Sequence, residues 1–166
     1  MRITPLPAGL RFSHPVCLIA TGCGIGLLPL APGTWGSLAA LPIAWLITVL
    51  AGPWALLAAS LVAFALGVWA SGQYARTSGV KDSQSIVIDE IAGQWLALLA
   101  APLDPLAYLG AFVMFRLCDI AKPWPANWAD RNVPGGLGVM LDDVIAGAYA
   151  LMVVHLALYS IKMYWN

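Results

Sequence analysis

The stretch "LDDVIAGAYALMVVHLALYSIK" (residues 141–162) decides the fold. It is apolar almost throughout, and about 20 such residues carry a helix across the hydrocarbon of a bilayer. A second run, residues 55–74, is equally long and apolar. Only 10 % of the 166 residues are charged and 61 % are hydrophobic. An average soluble domain carries roughly 25 % charge. The mean hydropathy of +0.82 belongs to a membrane protein. The formal net charge is zero, so the basic footprint of a nucleic-acid binder is absent.

Working outward, three shorter apolar runs appear at residues 38–51, 88–101 and 106–121. "GPW" at 52–54 and "PLDP" at 102–105 mark turns between runs, and Pro123 stops the run before it. At 14–16 residues, the three shorter runs are expected as short, tilted or re-entrant helices. The expected fold is all-α: an integral membrane bundle of about five apolar helices in one domain, 1–166. Residues 1–37, rich in Gly and Pro, read as an irregular N-terminal loop, and residues 122–140 read as another. The N-terminus lacks the continuous apolar core of a signal peptide. Cys17, Cys23 and Cys118 form no metal pattern and read as small buried hydrophobes.

If each run crosses once, Arg2, Arg11, Arg76, Lys81, Arg116, Lys122 and Arg131 share one side, leaving Lys162 alone on the other. Seven of eight basic residues on one side make that side cytoplasmic. Trp35, Trp54, Trp124 and Trp165 fall near run ends, where an interfacial aromatic belt places them.

Against this background the acids stand out. Four of eight sit in two adjacent pairs, Asp89–Glu90 in "IDEIAG" and Asp142–Asp143 in "LDDVIAG". Acids in a first helical turn complement the helix dipole, and capping is the plain account of one such residue. Two pairs in a chain this poor in charge ask for more. With Asp119 they all fall on the cytoplasmic side, from three different helix ends. Clustered carboxylates repel unless a cation neutralises them. Hard divalent cations such as magnesium take oxygen ligands. Asp89, Glu90, Asp119, Asp142 and Asp143 are therefore the candidate catalytic and metal-ligating residues, holding one or two Mg2+ ions. Gly93 and Gly147 lie one turn beyond each pair, where a small residue lets another helix approach closely.

"FRLCDIAKPWP" (115–125) spaces Arg116, Asp119 and Lys122 by three. A local ion-pair ladder accounts for that spacing. So does a site in which Arg116 and Lys122 grip a phosphate. "TGCGIGLLPLAPGTWGS" (21–37) is a glycine-rich loop presenting Thr34 and Ser37, each either a phosphate ligand or a cap on the following helix. No Cys precedes an Arg by six places, and His14 and His155 lack the spacing of histidine-based phosphatases. His155, deep in the last run, reads as a packed residue.

Together and in order, the glycine-rich block at 24–37, "IDEIAGQW" (88–95), "FRLCDIAKPWP" (115–125) and "GGLGVMLDDVIAGAYA" (135–150) resemble the phosphatidylglycerophosphatase A family. The resemblance covers nearly the whole chain. It implies a multi-pass enzyme of the bacterial inner membrane. Such an enzyme hydrolyses phosphatidylglycerophosphate to phosphatidylglycerol and phosphate, with magnesium, at the cytoplasmic face. Either water attacks phosphorus directly or a carboxylate forms an aspartyl-phosphate. The oligomeric state stays open. The rival is a small cation transporter or channel with carboxylates on the ion path. Its weakness is the basic residues accompanying the acids.

Overall fold

The computed structural model describes residues 4–7, 9–80 and 83–165. Arg2 and Lys81, and the side chain of Trp165, lie outside them. The chain is helical, with no strand among the described residues. Among them seven α-helices follow one another: α1 (Pro15–Ala20), α2 (Pro32–Ala51), α3 (Pro53–Ser78), α4 (Ile88–Ala97), α5 (Pro105–Ala121), α6 (Ala126–Asn132) and α7 (Gly135–Trp165). Single 3-10 turns sit at Ile25–Leu27 and Leu98–Ala100.

Among the described residues three helices, α2, α3 and α7, are long and apolar enough to cross a membrane. Only 22 %, 33 % and 17 % of their apolar windows are buried within the protein. Their remaining surfaces, such as Leu46 and Leu50 on α2, Leu61 and Leu66 on α3, and Leu156 and Ile161 on α7, are exposed. Apolar surface on this scale is covered by lipid rather than water. Trp54 lies at one end of the bundle, and Trp35 and Trp124 at the other; all three are exposed.

Proline and glycine set the boundaries. Gly52, at φ 81°, ends α2 and precedes Pro53, the first residue of α3. Proline suits that position because its missing N–H would have no intrahelical partner there. Asp104 caps α5, accepting hydrogen bonds from the N–H groups of Leu106 and Ala107 at 3.0 and 2.9 Å. The same logic corrects the sequence boundaries. The first apolar run reaches back to Pro32, because "PGTWGS" forms the opening turns of α2 rather than loop. Residues 15–20 form α1, so the N-terminal segment is only partly irregular. The proline-rich loop contains α6. The last run begins at Gly135, not 141. Gly136 starts α7 against the Val68 carbonyl of α3, where any Cβ would overlap.

The shortness of the third run also finds its reason. Helix α4 packs against α2, α3, α5 and α7. Asp89, Ile91, Ala92, Gly93, Gln94 and Ala97 are buried. An enclosed helix does not have to match the bilayer thickness. Two smaller expectations fail: His155 is exposed on the outer face of α7, and Cys23 is exposed while Cys17 is buried.

Candidate active site

The starts of α2 and α4, the end of α5 and the early turns of α7 meet at one end of the bundle. They enclose a pocket of about 310 Å³. Its lining includes every charged candidate site residue named above: Asp89, Glu90, Arg116, Asp119, Lys122, Asp142 and Asp143. Ala31, Pro32 and Gly33 of the α2 start, and Ser83, Gln84 and Ile86 of the segment before α4, complete it.

Helix α4 is held in place by its entry. The Val87 N–H donates to the Ala20 carbonyl at 2.8 Å, and Val87 packs on Gly36, where a Cβ would lie 2.9 Å from the valine Cβ. Asp89 and Glu90 then fall in the first turn. Asp89 Oδ1 accepts the Glu90 N–H at 3.1 Å, so capping is part of its role. Glu90 lies against Gly33, and a Cβ there would overlap its carboxylate oxygen. The glycine of "PGT" thus makes room for an acid from another helix.

Capping cannot explain the second doublet. Asp142 and Asp143 lie seven and eight residues after the start of α7, and its first turn holds no acid. The N–H groups at that depth bond within the helix. Asp142 is 5 % and Asp143 4 % exposed.

The side chains sort into groups. Ligand oxygens of Asp89, Glu90 and Asp143 lie within 4.8 Å of one another. Glu90 Oε2 and Asp143 Oδ2 are buried without a hydrogen-bond partner. Asp119 Oδ2 pairs with Arg116 Nη1 at 2.5 Å, and Glu90 Oε1 lies 3.9 Å from the same nitrogen. Lys122 Nζ donates to Asp142 Oδ2 at 2.6 Å and pairs with Asp130 Oδ2 at 3.4 Å. Arg116 and Asp119 do form the local i, i+3 pair; Lys122 instead reaches across to α7 and α6. Thr34 and Ser37 do not line the pocket. The Ser37 hydroxyl, fully buried, donates to the Gly33 carbonyl at 2.9 Å and accepts from Arg116 Nη1 at 3.4 Å. It supports Arg116 from behind. The α2 N-cap is Ala31, so neither hydroxyl serves as the cap.

These residues fit a hard divalent cation. The close group of three offers only oxygen, and it includes two buried oxygens with no other partner. Without a cation the charges strain the site. Burial, then the charge and hydrogen bond of Asp89 and the charge of Asp119, push the Glu90 carboxyl well above the usual range, with Arg116 opposing. The folded protein therefore holds a proton that the unfolded chain releases above about pH 4.3. Stability in chelator should fall as pH rises from there through the folded Glu90 value, and a divalent cation should flatten the slope. Thermal midpoints across pH, with and without the cation, check this. Equal slopes in both series would contradict it. The Lys122 ammonium behaves oppositely. Burial works to lower it, but the hydrogen bond and charge of Asp142 and the charges of Asp130 and Asp143 raise it above its ordinary value.

Asp130 escaped the sequence reading. It lies in the short α6, and no local spacing links it to Lys122. Ser83 and Gln84 escaped too, because isolated polar residues in a polar stretch carry no pattern.

The family profile described as Phosphatidylglycerophosphatase A matches residues 18–158. The Phosphatidylglycerophosphatase A of Escherichia coli is 44 % identical over 158 residues, 94 % of this chain and 88 % of the relative. That of Haemophilus influenzae is 40 % identical over 142 residues, 85 % of this chain and 87 % of the relative. No solved structure matches. The match spans all four helix ends that build the pocket, and the chain belongs to the phosphatidylglycerophosphatase A family.

Proposed function

We propose that this membrane phosphatase removes the terminal phosphate of phosphatidylglycerophosphate in a magnesium-dependent hydrolysis. The carrying observation is a pocket that unites an oxygen-only group of three acids with Arg116 and Lys122, at the end of a lipid-facing bundle. A lipid keeps its acyl chains beside the outer faces of the helices while its headgroup enters the pocket.

Asp89, Glu90 and Asp143 would hold the cation. Bound there, Mg2+ supplies positive charge that withdraws electron density from the phosphoryl group. Arg116 presents its fork to the phosphate oxygens, with Asp119 and Ser37 fixing its plane. Lys122, raised above its ordinary value, stays an ammonium and binds phosphate rather than donating a proton. Water attacks phosphorus in line, and the bond from phosphorus to the glycerol oxygen breaks. The proton released by the water ends on the departing glycerol oxygen, which leaves as the alcohol.

The basic residues Arg11, Arg76 and Arg131 belong to the same end of the bundle as the pocket. That supports a cytoplasmic-facing site in the bacterial inner membrane. The transporter reading has no such support. Below the pocket, Ala97, Phe115, Ala146 and Ala150 pack into an apolar cluster, an unfavourable path for an ion.

The test is direct. Purified protein in detergent should release phosphate from phosphatidylglycerophosphate with Mg2+ and lose that activity in chelator. No release with any divalent cation would sink the proposal.

A further inference from the structure

Lys122 binds phosphate in the reading above, yet its ammonium already meets two carboxylates. One, Asp142, is on α7, with its side chain 7 % exposed; the other, Asp130, is on α6, with its side chain 33 % exposed. Asp142 lines the pocket and Asp130 does not. The lysine is thus bracketed between an inner and an outer acid. We propose that Asp130 is a positioning residue: with Asp142 it clamps the Lys122 ammonium so that its remaining N–H faces the phosphate in the pocket.

The chemistry of lysine makes such a clamp useful. Its ammonium is a point charge with three donors on a flexible four-carbon stem. Nothing in that group fixes a direction, unlike the planar fork of arginine. Lys122 also sits just past the end of α5, at φ 43°, where its backbone N–H donates to the Cys118 carbonyl at 2.9 Å. Two carboxylates from two other helices, one hydrogen-bonded at 2.6 Å and one ion-paired at 3.4 Å, hold the ammonium from two sides.

Helix α6 is placed for this task. Ala126 and Ala129 are buried, and the Tyr149 hydroxyl of α7 donates to the Trp124 carbonyl at 2.8 Å. Asp130 follows directly on Ala129 and faces Lys122. A plain surface ion pair that merely steadies α6 is the competing account, since exposed pairs are worth little.

The two accounts differ in sign. If the pair only steadies α6, removing a negative group beside Lys122 leaves anion binding unchanged or strengthens it. If Asp130 aims the ammonium, removing it weakens binding. The proposal rests on the phosphatase reading, and its test does not depend on turnover. Inorganic phosphate is titrated against the Mg2+-loaded protein in detergent, and its affinity is read from the rise in thermal midpoint. Asp130→Asn should weaken phosphate about fivefold, the size of one partly exposed ion pair. Asp130→Glu, which keeps the charge, should recover part of the affinity. In a Lys122→Ala background, Asp130→Asn should add nothing, because the effect runs through the lysine. The Mg2+ concentration giving half the metal-induced shift should not change.

Phosphate affinity that is unchanged or improved in Asp130→Asn overturns the proposal. So does an equal further loss in the Lys122→Ala background. If Asp130→Asn does not fold, the Asp130→Glu and Lys122→Ala variants decide: equal affinity loss in Asp130→Glu with and without Lys122 overturns it. A wild-type protein that binds phosphate but cleaves no phospholipid would strike the functional reading and leave this inference standing.

Discussion

Asp143→Asn is expected to slow phosphate release at least about a hundredfold while leaving the protein folded, the scale on which removing one charge-stabilising group acts at a reacting centre. The residue is 4 % exposed, and its Oδ2 has no hydrogen-bond partner. It lies too deep in α7 to cap the helix. Asparagine keeps the volume and removes the charge. In chelator the variant should be at least as stable as its parent, because one carboxylate fewer repels Asp89 and Glu90. Adding Mg2+ should then stabilise the parent much more than the variant, since ligand binding stabilises in proportion to its affinity. Phosphate release and thermal midpoints, each measured with and without Mg2+, separate the outcomes. A near-normal rate, or an undiminished Mg2+ shift, would remove Asp143 from the proposed cation group.

Much of this arrangement was legible in the sequence because it rests on local rules. The apolar runs become helices, and the turns at Gly52 and Asp104 follow from proline and capping chemistry. The doublets stood out because charge is rare here, and counting sides placed them at one end. What failed was the reading of glycine and proline as loop. Pro32 and Gly33 open α2, and Gly135 and Gly136 open α7, because at a helix start proline costs no hydrogen bond and glycine admits a neighbouring backbone. Missing those starts made the Asp142–Asp143 pair resemble a cap. The pairings across the pocket were not legible at all. Lys122 meets Asp142 from 20 residues away and Asp130 from a helix hidden among prolines, and only the packing of α6 on α7 brings them together.

Gly93→Ala is expected to damage the site without touching a charged group. A Cβ at 93 would sit 2.5 Å from the Asp143 carbonyl oxygen and 2.7 Å from the Phe115 ring. The contact is reciprocal, since a Cβ on Gly147 would overlap the Gly93 carbonyl. The two glycines let α4 and α7 touch backbone to backbone, as small residues do between membrane helices. One turn away on those helices stand Asp89 and Glu90 on one side and Asp143 on the other. The added methyl must push the helices apart, at about 1–3 kcal/mol for overpacking. Their carboxylates separate with them. A displacement of about 1 Å in a reacting centre can cost about a hundredfold in rate. Gly110→Ala in α5 is the matched control. Nothing lies within 4 Å of its added Cβ, and alanine is the better helix former by about 1 kcal/mol. It should keep full activity and hold or raise the thermal midpoint. Comparing both variants in phosphate release and thermal unfolding tests whether close approach at Gly93, rather than glycine as such, builds the site. A Gly93→Ala protein with normal turnover would show that α4 and α7 can part without losing the pocket, and the proposed cation group could not then depend on their contact.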